Sequence, residues 1–208
     1  MPVILAFGDS NTWGFAPVRA VRYPKTVRWT GVLARSLGED YEVVEEGLNG
    51  RTTVFDDPEE DGRIGLTYFA PCLRSHAPVD LAIIALGCND CKAAFAATPK
   101  TIAAGAARLV DAALGSEAGP GGRPPRVLLV APPPFAKLTE YADMFAGGVQ
   151  RALGLPAAYR ALAQQRGVGY VEAGAFIRCS DADGIHYESD QHEILGRAMA
   201  EAVRMTLA

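Results

Sequence analysis

Val3-Ile-Leu-Ala-Phe-Gly8-Asp9-Ser10-Asn11-Thr12 is the stretch on which the reading of the whole chain turns. Its apolar run, ended abruptly by Gly-Asp-Ser-Asn, has the pattern of a strand buried on both faces, as in a parallel sheet. That order leaves the Ser10 hydroxyl at the carboxyl end of the first strand, the edge where open α/β sheets bind their ligands. Asp9, Ser10 and Asn11 are equally at home in turns and helix caps, so the stretch alone does not assign chemistry.

Working outward, the same grammar repeats. Thr26 to Leu37 places apolar residues near helical spacing, with Gly38 as a C-cap. Tyr41 to Glu45 reads as a second strand, and Gly47-Leu-Asn-Gly50-Arg-Thr-Thr as its carboxyl-end loop. Asp56 to Arg63 is acidic and turn-rich, which predicts a solvated excursion. A short helix is expected over 67–75. Val79 to Leu86 is apolar throughout and predicts a central third strand, followed by Gly87-Cys-Asn89-Asp90. Thr98-Pro99 opens a helix running to about Leu114, with proline at its first position. Arg126 to Ala131 resumes the sheet after a Gly/Pro loop. Phe145 to Gln165 is read as mostly helical, with Gly154 and Pro156 predicting a break. Gly169 to Ala173 is a fifth strand, and Ser189 to Leu207 an amphipathic closing helix. Strands alternating with helices predict one three-layer α/β/α domain over residues 1–208, built on a five-stranded parallel sheet.

Composition narrows the function classes. The 208 residues are 49% hydrophobic and 21% charged, and the net charge of −4 comes with scattered basic residues, so no nucleic-acid face is expected. No apolar run approaches the length of a membrane span, and the first residues lead straight into a strand. Cys72, Cys88, Cys91 and Cys179 are read as free thiols, and a cytoplasmic location is expected. Cys88-Asn-Asp-Cys91 has redox spacing but lies in the wrong chain context for a thioredoxin-like site, and no second pair accompanies it to suggest zinc.

The strand-end residues make an inventory for acyl transfer: a nucleophile, an imidazole base, a carboxylate to hold it and donors for an oxyanion. Of three histidines, His76 precedes the third strand and His192 lies within the last helix, leaving His186 in a strand-end loop. Asp183, three residues earlier, has the spacing to orient it; Asp181 and Asp190 are rivals. Asn89 is a carboxamide donor or a turn residue, and Gly50 can present an unobstructed N–H. Asp9 and Asp90 are expected to brace their loops as Asx-turn residues.

Gly8-Asp9-Ser10-Asn11-Thr12, the Gly50 loop, Gly87-Cys88-Asn89-Asp90 and Asp183-Gly-Ile-His186 resemble, in order, the four blocks of the SGNH, or GDSL-type, hydrolases. Asn11 stands where leucine is common in that family, and Cys88 where threonine is frequent; neither change removes a catalytic group. The resemblance implies a flavodoxin-like sheet, Ser10 as nucleophile, His186 as base, Asp183 as its partner, and an oxyanion hole from the Ser10 and Gly50 amides and the Asn89 side chain. It implies no metal and no organic cofactor. Gly8 to Gly14, Val27 to Leu33 and Glu45 to Thr53 look most like the arylesterase/acyltransferase branch, which implies a small ester substrate, possible acyl transfer to alcohols and a homo-oligomer.

Pocket walls are expected from Trp13, Phe15, Val54 with Phe55, Pro132 to Phe135 (Pro134 among them) and Ile185. Met144 and Phe145 are candidates for a lid or an oligomer contact. A carbohydrate O-acetyl esterase is the enzymatic alternative. A catalytically silent binding module is the other, against which stands the lack of any phosphate-binding glycine motif after a strand.

Overall fold

The structure is a computed structural model, described over residues 1–17, 19 and 21–208. Trp13 to Lys25, with Pro17 and Pro24, has the sequence of an irregular stretch, and within it Val18 and Ala20 lie outside the described residues. Strands β1 (Val3–Gly8), β2 (Glu42–Gly47), β3 (Leu81–Ala85), β4 (Arg126–Ala131) and β5 (Gly169–Glu172) form one sheet in the order β2-β1-β3-β4-β5. Every pairing is parallel. The helices are α1 (Ser10–Trp13), α2 (Trp29–Leu37), α3 (Gly65–Ser75), α4 (Pro99–Leu114), α5 (Gly148–Arg166) and α6 (Ser189–Leu207).

The chain leaves β1 in one direction to make β2, then returns past it to make β3, β4 and β5. Right-handed crossovers therefore put α2 on one face, where it packs against α6, and α3, α4 and α5 on the other. The reversal falls between β1 and β3, the switch point at which doubly wound sheets open a crevice. Register makes that crevice level: Gly8 pairs with Gly47 on one side and Ala85 on the other. The loops carrying Ser10, Gly50 and Asn89 thus leave the sheet side by side.

Core residues follow from the sequence pattern. Ile4 to Phe7 and Leu81 to Ile84 have no exposed surface, as continuous apolar runs in a sheet covered on both faces require. Helix α4 buries Ile102, Ala106, Leu109 and Ala113 at helical spacing. Its start is fixed by a capping box: Thr98 Oγ accepts from the Thr101 N–H (3.2 Å) and the Thr98 N–H donates to Thr101 Oγ (2.8 Å). No described helix is long and apolar enough to cross a membrane.

Two readings are corrected. The break expected in α5 does not occur: Gly154 and Pro156 both lie within one continuous helix. A Cβ on Gly154 would sit 2.5 Å from Pro99 Cγ, so this glycine lets α5 cross the start of α4 closely. Packing outweighs the helix-breaking preference of both residues. Strand β2 also extends past Glu45 to Gly47, pairing to the end of β1.

His192 shows how the α2–α6 layer is locked. Arg28 gives α2 no side-chain cap; instead the Trp29 N–H donates to His192 Nδ1 (3.2 Å) reaching across from α6. Burial, with the charges of His186 and Arg28 adding to it, pushes the His192 pKa down from 6.5 to about 4. Above pH 6.5 the imidazole is neutral folded or unfolded. Below it the unfolded chain takes a proton the folded chain refuses, so stability drains away until the pH reaches about 4, by about 3 kcal/mol in all. His192→Gln keeps an acceptor for Trp29 without the titration. Urea unfolding at pH 7 and pH 4.5 is expected to show a smaller acid loss in the variant by about 2–3 kcal/mol; equal losses would refute the assignment.

Candidate active site

Ser10 is the first residue of α1, directly beyond β1. Asp9 caps that helix by accepting the Asn11 N–H on its carboxylate (3.0 Å), which holds the turn that projects Ser10. Burial raises the Asp9 pKa to about 6 against the lowering by that hydrogen bond and by the charges of His186 and Arg51. Asp90 braces its loop through a residue distant in sequence rather than through the Asx-turn its position implied. It accepts from the Thr53 N–H (3.0 Å) and from the Thr53 hydroxyl, tying the β3 loop to the β2 loop.

His186 reaches this place from the far side of the sheet. Strand β5 stands three strands from β1, roughly 14 Å away, so residues 176–186 run back over the strand ends. That loop is closed by Gly184 N–H to Ser180 O (2.8 Å) and Ser180 N–H to His186 O (2.7 Å). Asn11 Nδ2 donates to Ile185 O (3.4 Å), joining it to α1.

The result is a continuous line. His186 Nε2 lies 3.0 Å from Ser10 Oγ, and His186 Nδ1 lies 2.8 Å from Asp183 Oδ2. Asp183 Oδ1 also accepts the N–H groups of Ile185 and His186 (2.9 Å each). Burial works to raise the Asp183 pKa, but the hydrogen bonds from the His186 ring and these two amides hold it below the ordinary carboxylate value. An ionised Asp183 requires the hydrogen on Nδ1, leaving Nε2 as the acceptor that faces Ser10. The rivals Asp181 and Asp190 are exposed. His76 pairs instead with Glu46 (3.0 Å), and His192 is spent on Trp29.

Ser10, Gly50, Asn89 and His186 line a single cleft that opens to solvent. Gly50 has a φ of +71°, a left-handed conformation that favours glycine. Asn89 Nδ2 donates one hydrogen to Arg51 O (3.0 Å), which fixes the carboxamide and leaves its second hydrogen free. The Ser10 N–H belongs to a first helical turn, where amides have no acceptor within the helix.

Of the expected pocket walls, Phe15 and Ile185 line the cleft; Phe15 packs on the His186 ring with centroids 4.2 Å apart. Trp13, Val54 and Pro134 do not. Trp13 stands behind Phe15 with Arg22 over its ring, Val54 packs against Gly105 of α4, and Pro134 abuts Gly174. Met144 and Phe145 do border the cleft, Phe145 buried against Phe135. Tyr141, Lys92, Glu59 and Glu60 border it too, and sequence reasoning missed all four. Lys92 was within reach, being one turn beyond Asn89. The stretch 56–63 is no mere solvated excursion, since Asp57 is buried in an ion pair with Lys92 (2.5 Å) at the rim of the cleft.

Two further clusters stand apart from the cleft. Burial pushes the thiols of Cys88 and Cys91 up, Cys91 to about 12, so neither is a ready thiolate. Among the described residues, Glu46, Cys72 and His76 gather potential ligand atoms within 4.8 Å of one another. Burial pushes the Cys72 thiol up to about 12, and His76 Nε2 lies 3.0 Å from Glu46 Oε1.

A parallel α/β sheet with a serine, an imidazole and a carboxylate in line at its switch point defines a serine hydrolase of the SGNH type. The model of the GDSL-like lipase/acylhydrolase family matches residues 6–194, and the chain belongs to that family. Three solved structures illustrate the likeness. An aryl esterase from M. smegmatis is 45% identical, with all of both chains covered and a TM-score of 0.96. Est24, a carbohydrate acetylesterase from Sinorhizobium meliloti, is 42% identical over 99% of both chains, also at 0.96. A putative arylesterase from Agrobacterium tumefaciens is 36% identical, with all of both chains covered, at 0.91. No curated protein matches the chain. The protein is a carboxylic ester hydrolase.

Proposed function

We propose that the chain hydrolyses short-chain acyl esters of aryl or simple alkyl alcohols through an acyl-enzyme on Ser10. The observation that carries this reading is the line Ser10 Oγ–His186 Nε2–Asp183 at the mouth of the cleft, 3.0 and 2.8 Å between partners. His186 Nε2 takes the Ser10 proton as Oγ bonds to the ester carbon. Asp183 holds the ring and stabilises its charged form. The carbonyl oxygen becomes an oxyanion facing the Ser10 and Gly50 amides and the free Asn89 hydrogen. Collapse expels the alcohol, which receives the proton from His186. Water, deprotonated by the same nitrogen, then releases the acid and restores Ser10; an alcohol in place of water gives acyl transfer.

Phe15, Ile185 and Phe145 offer apolar surface for an acyl group, and their bulk favours a short one. p-Nitrophenyl esters from C2 to C12 test this, with turnover expected to peak at C2–C4. A preference for C8 or longer would overturn the short-acyl assignment.

A second reading, the carbohydrate O-acetyl esterase, is favoured by a specific feature: Asn49, Glu59 and Glu60 give one side of the cleft hydrogen-bonding groups suited to a polyol leaving group. Acetate release from acetylated monosaccharides, compared with p-nitrophenyl acetate, separates the two. Association with further copies of the chain rests on the resemblance and on exposed Phe176 and Ile194; a cytoplasmic setting accords with four free thiols.

A further inference from the structure

Arg51 carries a cation into the interior, only 3% exposed, and burial pulls its pKa below the ordinary guanidinium value. Such burial is costly unless the donors are used. One terminal nitrogen donates to Gly8 O (2.9 Å) and also to Glu46 O, the carbonyls at the ends of β1 and β2. The guanidinium lies flat enough against the core to put its carbon 4.1 Å from the Phe7 ring centroid and 5.5 Å from that of Tyr68. Its main chain is engaged as well. The Arg51 N–H donates to Leu48 O (3.2 Å), closing the turn that contains Gly50, and Arg51 O receives Asn89 Nδ2 (3.0 Å).

Each oxyanion donor is therefore within two residues of a group bonded to Arg51. Ser10 follows Gly8 by two, Gly50 precedes Arg51 directly, and Asn89 touches it. Arg51 itself is not among the residues lining the cleft. We propose that Arg51 is a positioning residue that sets the oxyanion hole by clamping the carboxyl ends of β1 and β2 while aiming Asn89. The proposal rests on the serine-esterase reading above. Oxyanion donors act because they are fixed before charge develops, and a displacement of about 1 Å can cost about 100-fold in rate. Losing the clamp should weaken the transition state more than the ground state, so kcat falls while KM holds.

The test is a double-mutant cycle on p-nitrophenyl acetate, using Arg51→Met (which keeps bulk against Phe7 and Tyr68) and Asn89→Ala. Arg51→Met alone is expected to lower kcat about 10- to 100-fold with KM changed less than about 3-fold. In the Asn89→Ala background the same substitution is expected to cost clearly less, because one of the three donors it positions is gone. Arg51→Lys, which keeps a charged donor, is run through the same cycle, with thermal unfolding as a check on folding, and is expected to retain more activity than Arg51→Met. Unchanged kcat, or the full cost repeated without Asn89, would reduce Arg51 to a packing residue and overturn the proposal. A serine-directed p-nitrophenyl phosphonate tells that failure from failure of the esterase reading. In the first case it still labels wild-type Ser10; in the second it labels nothing.

Discussion

Ser10→Ala is expected to lower kcat by about 10⁴ to 10⁶, with His186→Ala equally damaging and the double variant little worse. The size follows from the geometry. Ser10 Oγ and His186 Nε2 are 3.0 Å apart and act as one proton-transfer unit in the proposed mechanism, so removing either partner removes the covalent path entirely. What survives is the contribution of the cleft and the oxyanion donors to a direct attack by water. Initial rates on p-nitrophenyl acetate, with each variant purified free of wild type, provide the measurement. A loss below about 100-fold in Ser10→Ala would mean that the hydrolysis runs through another nucleophile. Strictly additive losses in the double variant would mean that the two residues do not act as a unit.

Asn89→Ala is the next largest, with an expected loss of about 100- to 1,000-fold in kcat and little change in KM. Its carboxamide is held by Arg51 O (3.0 Å), so its free hydrogen waits in place at no cost when the tetrahedral intermediate forms. Removing it leaves the Ser10 and Gly50 amides to carry the charge. Asn89→Asp is expected to be worse than alanine, since a carboxylate would repel the oxyanion. Near-normal turnover of Asn89→Ala would remove it from the hole and leave it a turn residue.

The strands, their parallel order and the elements that carry Ser10, Asn89 and His186 were legible because each rests on a local signal. Ile4 to Phe7 and Leu81 to Ile84 are apolar on both faces, and polar residues end each run at the same sheet edge. Asp183 and His186 are three residues apart, so their meeting is a local event too. The misreadings share another physical origin. The unbroken α5 depends on how Gly154 meets Pro99 of α4, which no rule about single residues contains. Asp57 belongs to an acidic stretch whose composition signals solvent, yet a lysine from a different loop draws it inside. Trp13, Val54 and Pro134 were placed by proximity to catalytic loops, whereas side-chain direction sent each into packing elsewhere. A local signal marks a strand-end loop, but which way its side chains turn is decided by neighbours distant in sequence.

Ser10 and His186, the proposed nucleophile and base, are 176 positions apart, and this spacing sets a schedule for a newly made chain. Translation at about 5–20 residues per second puts an interval on the order of ten seconds or more between the emergence of Ser10 and that of His186. Throughout that interval the serine is an ordinary alcohol with an unperturbed, unreactive hydroxyl. A ribosome-bound or prematurely ended product stopping just short of Asp183 would carry all five strands yet form no acyl-enzyme in this mechanism. In the proposed mechanism, reactivity is thus withheld from every copy that stops short of His186.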